Sequence, residues 1–74
     1  MKNIRYTAVL EKEGDGFVAL CPELDVVSQG DMVEEAKANL QEAVELFLET
    51  ASPEEIAERY HPEIYISAFE VAVG

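Results

Sequence analysis

The sequence predicts an α+β domain in which three strands precede two helices and a last strand follows, in the order β-β-β-α-α-β. The sheet is expected to be mainly antiparallel, with both helices on one face. Three observations lead there. Apolar residues alternate at period two in residues 4–11 and again in 64–71, a glycine-rich turn separates the first two apolar runs, and residues 33–48 switch to spacings of three and four.

In residues 4–11, Ile4, Tyr6, Ala8 and Leu10 share one face, which is a strand signature. The stretch Glu13-Gly14-Asp15-Gly16 follows, and its Asp15-Gly16 pair suits the positive φ of a tight hairpin turn. Residues 17–21 then return as the second arm and stop at Pro22, which has no N–H to give to a ladder. Residues 25–30, rich in β-branched side chains and closed by Gly30, read as a third strand. Asp31 stands three residues before Glu34, the spacing of a capping box, so a helix is expected to start there. Its inner stripe is Val33, Ala36, Leu40, Ala43, Val44, Phe47 and Leu48. A second, shorter helix is announced by Ser52, Pro53 and Glu55 as cap, first turn and capping partner. Residues 61–73 close the chain as a long strand, with Ile64, Ile66 and Ala68 alternating against Tyr65, Ser67 and Phe69.

With 74 residues the chain has room for one domain, residues 1–74. Cys21 is the single cysteine, so no internal disulfide forms, and the usage fits a reducing cytoplasm. No apolar run approaches the roughly 18 residues that cross a bilayer, so no membrane association is expected. Sixteen acids against five bases give a formal charge of −11, which opposes direct binding to DNA, RNA or anionic lipid. Nine of the acids fall within residues 31–60. Glu35, Glu42, Glu45 and Glu49 gather opposite the apolar stripe of the long helix, with Leu46 on their border. Composition alone leaves two readings open: a solvated face, or a surface matched to a basic partner.

Helices on one face leave the other side of the sheet bare, and it is not polar. Val18, Leu20, Tyr65, Phe69 and Val71 have the parity opposite to Ile4, Phe17 and Ile66, so an oligomer interface (homodimer or homotetramer) is expected there or through the final strand.

Signals for catalysis are absent. Cys21 and His61 are the sole thiol and imidazole, one beside a strand-ending proline and the other in a loop, and neither reads as half of a nucleophilic dyad. No His/Cys spacing suits zinc, the Gly14–Gly16 turn lacks the oxygen ligands of a calcium loop, and no phosphate-binding glycine motif occurs. The helix acids diverge along about 20 Å of surface, whereas two-metal hydrolysis needs them to converge. No enzyme activity, metal or cofactor is expected.

Residues 4–50 resemble the N-terminal domain of HicB-like antitoxins, whose pattern is P-x-L-x-x-x-S-x-G-x-T-x-E-E-A followed by a helix of the A-I-E-L-Y-L-E kind. Pro22, Leu24, Ser28, Gly30, Glu34, Glu35, Ala36, Ala43, Glu45, Leu46, Leu48 and Glu49 match it position by position. The resemblance implies a partial RNase H-like fold without nuclease activity, oligomeric assembly, and binding to a small basic RNA-cleaving toxin of the HicA type. On this reading Glu35, Glu42, Glu45, Leu46 and Glu49 face the toxin. Met32 departs from the pattern's threonine, which would shift capping to Asp31. Longer members carry a C-terminal DNA-binding module that has no counterpart before Gly74, so direct DNA binding is not expected. The alternative is an orphan oligomeric module of the same kind that binds another protein or a small ligand through the bare sheet face.

Overall fold

The computed structural model describes residues 3–74. Its elements are β1 (Val9–Glu13), β2 (Gly16–Cys21), β3 (Val26–Gly30), α1 (Val33–Thr50) and α2 (Pro53–Arg59). The strands form an antiparallel sheet in the order β1-β2-β3, so the α+β class and the sequence of the first five elements are as expected.

The hairpin turns over two residues, because Glu13 already faces Gly16. Positive φ falls on Gly14 (+60°), not on the Asp15-Gly16 pair, which is the pattern of a II′ turn with glycine at its first central position. β1 starts at Val9, later than the alternation of residues 4–11 suggested. Continued register would set Thr7 against Pro22, and the backbone N–H of Thr7 goes instead to the carboxylate of Glu23, 2.9 and 3.1 Å from its two oxygens.

α1 lies chiefly across β3, less across β2 and least across β1. Beneath it Ala19, Cys21, Leu24 and Val26 meet Ala36, Leu40 and Val44 in one buried core, flanked by Tyr6, Ala8, Leu10, Phe17, Ala43, Phe47 and Leu48. Gly30 makes the close approach of β3 to the helix start possible. A β-carbon there would stand 2.6 Å from the backbone nitrogen of Ala36.

The start of α1 corrects the expectation of a cap at Asp31. Met32 is the N-cap and its side chain caps nothing; Glu35 instead accepts the N–H of Asp31 at 2.7 Å. The helix therefore starts one residue later than expected and without a capping box: a thioether cannot cap, and Glu35 reaches past the N-cap to the residue before it. At α2 the expected cap is present: Ser52 Oγ accepts the N–H of Glu55 at 3.1 Å, with Pro53 in the first turn. α2 buries none of its residues. Arg59 anchors its end by donating to the carbonyls of Leu24 and Asp25 while its guanidinium lies 4.8 Å from the ring centre of Phe47.

The largest departure concerns residues 61–74. Among the described residues the expected final strand joins no ladder, and the segment runs on from α2 without sheet partners. Its apolar residues stand in solvent: Tyr65 is 86% exposed, Phe69 85% and Val73 92%. The molecule is accordingly elongated, 50 × 28 × 22 Å, with a radius of gyration of 14.5 Å where about 11 Å is usual for this length.

Candidate functional site

Residues on α1 that point away from the sheet build an acidic surface. Glu35, Glu42, Glu45 and Glu49 are all exposed and, at about 100° per residue, occupy one arc of the helix. Leu46, 60% exposed, sits at the border of that arc, so the surface combines carboxylates with one apolar side chain. Among the described residues the one ion pair is His61 with Asp25, 3.3 Å apart and exposed. Glu42, Glu45 and Glu49 form no ion pair among the described residues, whereas Glu35 is partly occupied by its bond to the Asp31 backbone. These four carboxylates point outward into solvent.

The opposite face of the sheet carries a second surface. Register aligns Val9, Leu20 and Val27 in one cross-strand row on the side away from α1, with Glu11, Val18 and Gln29 in the next. Val9 and Val27 are exposed, Val18 and Leu20 half-buried. Val18 and Leu20 therefore lie together on the bare face, as the alternation predicted. Tyr65, Phe69 and Val71, expected beside them, are instead displayed on the unpaired terminal segment, because that segment does not return to the sheet within the chain.

A groove of about 440 Å³ opens between α1 and residues 3–8, the segment that leads into β1. Ile4, Tyr6 and Ala8 form one wall and Leu40, Val44 and Leu48 the other.

Sequence reasoning passed over the residue that organises this end of the molecule. Glu23 is 8% exposed, and its carboxylate accepts the Thr7 N–H, the Thr7 hydroxyl at 2.7 Å and the Cys21 thiol at 3.5 Å. Burial alone would raise its pKa. The Thr7 hydroxyl, its own backbone N–H and the Thr7 N–H outweigh burial and hold the carboxyl below the ordinary range. The Glu23 carbonyl also accepts the N–H of His61 at 2.7 Å, so one residue ties down both the approach to β1 and the exit from α2. A signal for it existed: Glu23 is the one charge between Asp15 and Asp25, within an otherwise apolar run.

Cys21 and His61 do not form a reactive pair. The buried thiol is pushed up by burial, an effect that the Leu24 N–H only partly offsets, and it donates to Glu23, while the imidazole is directed to Asp25. No cluster of three or more His, Cys, Asp or Glu side chains with metal-holding geometry exists among the described residues. Nor is any described helix long and apolar enough to cross a membrane.

The chain is similar to three UPF0150 proteins. One from Helicobacter pylori (strain J99) is 39% identical over 66 residues, covering 88% of this chain and 92% of the relative. Two from Synechocystis sp. are 53% identical over 47 residues and 44% identical over 45, and the chain spans about three fifths of their length (60% and 62%). No family model and no solved structure matches the chain.

Proposed function

The chain belongs to the UPF0150 family, and on that premise we propose that it is a non-enzymatic antitoxin of the HicB-like kind, which binds and neutralises a small basic RNA-cleaving toxin of the HicA type in the cytoplasm. The observation that carries this reading is the row of exposed carboxylates on α1, Glu42, Glu45 and Glu49, which make no ion pair among the described residues, with Leu46 exposed at its edge. Such a surface attracts a cationic protein from a distance and offers it an apolar anchor on contact. The positional match of the Pro22–Glu49 stretch to the antitoxin pattern supports the same reading. Inhibition then requires no chemistry from this chain. An acidic body seated over a basic RNA-binding surface competes with RNA for the same cations.

Co-expression tests the proposal: a small basic protein is expected to be encoded in the adjacent reading frame, and the growth arrest that it causes is expected to be relieved by this chain. Changing Glu35, Glu42, Glu45 and Glu49 together to glutamine is expected to slow association about tenfold or more at low salt, with the difference shrinking as ionic strength rises. An association rate unchanged by the fourfold variant, or the absence of rescue, refutes this assignment.

The bare row Val9-Leu20-Val27 favours a second reading, an oligomeric module that binds a different protein or a small ligand on its open sheet face. Recovery of a non-basic partner whose binding survives the fourfold glutamine variant but not Val27→Asp would select it.

A further inference from the structure

We propose that residues 63–73 of one copy pair as a fourth strand along the free edge of β1 in a second copy, each copy supplying its terminal segment to the other. The segment has the pattern of a strand and lacks a sheet. Ile64, Ile66 and Ala68 fall on one of its faces and Tyr65, Phe69 and Val71 on the other, with the aromatics almost fully in solvent.

The acceptor is equally incomplete. Among the described residues β1 bonds to β2 alone, so its outer edge is unpaired, and the groove between residues 3–8, which lead into β1, and α1 is lined by Ile4, Tyr6, Ala8 and Leu48 and by the mostly buried Leu40 and Val44. A strand laid there sends Ile64, Ile66 and Ala68 into the groove. Tyr65, Phe69 and Val71 then extend the apolar row Val9-Leu20-Val27 on the open face. The other edge is less available, because α1 lies over β3 and Asn39 Nδ2 already donates to the carbonyl of Gln29 at 2.8 Å.

The segment's direction is set before it begins. His61 gives its N–H to Glu23 and its ring to Asp25, and Pro62 restricts the backbone of His61, so the chain leaves its own body at a fixed point and projects outward. A short, constrained hinge before a strand is the arrangement that favours exchange between copies.

Surface area agrees. The chain exposes 6207 Å², while a folded monomer of 8.2 kDa usually exposes about 4,500 Å², an excess of about 1,700 Å² per copy. Two copies hiding that excess would bury about 3,400 Å², within the range of permanent homodimers. Each copy carries a charge of −11, so salt strengthens this association.

The test uses the full chain. Sedimentation at micromolar concentration is expected to give a dimer that tightens with added salt, the reverse of binding to a basic partner, so the two proposals fail independently. Amides of residues 64–72 are expected to resist hydrogen exchange. In a sample mixing two isotope labels, contacts between the terminal segment and β1 are expected to be intermolecular. Ile66→Asn is expected to weaken the dimer about 100-fold or more, while Phe69→Ser, on the other face and less exposed to folding artefacts, weakens it about tenfold or more. A monomer at 100 µM overturns the proposal. So does a dimer with freely exchanging terminal amides, or a segment that pairs with β1 of its own chain.

Discussion

Replacing Thr7 by valine removes one hydroxyl from the Glu23 carboxylate and almost nothing else, since the two side chains are close in shape. The bond lost is short, 2.7 Å, and its acceptor is a charged group that is 8% exposed. Hydrogen bonds to charged groups contribute about 1.5–3 kcal/mol, so a loss near 2 kcal/mol is expected at pH 7. For a domain of this size that lowers Tm by roughly 8–16 °C. The cost depends on pH with a definite sign. The folded carboxyl titrates below its unfolded value, so its contribution is complete above the unfolded pKa of about 4.3 and is lost as pH falls through the folded pKa. Thr7→Val raises the folded pKa, and the gap between the two proteins narrows in acid. Urea unfolding followed by circular dichroism at pH 7 and near pH 3, at one protein concentration, measures both quantities. A loss below about 0.5 kcal/mol at pH 7, or an equal loss at both pH values, refutes the account of Glu23 as a charged hub.

Three further outcomes follow from particular contacts. Met32→Thr supplies the missing N-cap oxygen of α1 and is expected to stabilise the protein by about 1 kcal/mol, read as a rise in Tm; an unchanged Tm means the helix start is satisfied otherwise. Gly30→Ala forces a methyl group to within 2.6 Å of the Ala36 nitrogen and is expected to cost about 1–3 kcal/mol in denaturant unfolding, and no cost would show that α1 shifts freely. Cys21, fully buried with its thiol pushed up, is expected to react with thiol reagents only as fast as the protein unfolds, so rapid labelling of the folded protein would contradict its place in the core.

Much of the fold was legible because the patterns that specify it are local. Period-two alternation, a proline that stops β2, and a three-and-four spacing from Val33 to Leu48 each depend on neighbours within a turn or a strand. The acidic arc of α1 follows from helix geometry alone, and so do its residues. Local chemistry was less secure where two neighbours compete: Asp31 has the better capping side chain, yet the backbone of Met32 occupies the cap position.

What the tertiary structure decided is non-local. Glu23 is buried only because Thr7, sixteen residues earlier, brings a hydroxyl and an N–H to its carboxylate, and no spacing rule in the chain foretells that meeting. The strand character of residues 61–73 was written in their alternation, but alternation states which faces are apolar and not what will cover them. Pairing needs an edge within reach, and the anchored exit at His61 aims the segment away from its own sheet. Hydrophobic burial has no direction, so the sequence set the demand for cover, and only the placement of β1, α1 and the exit showed where that cover is lacking.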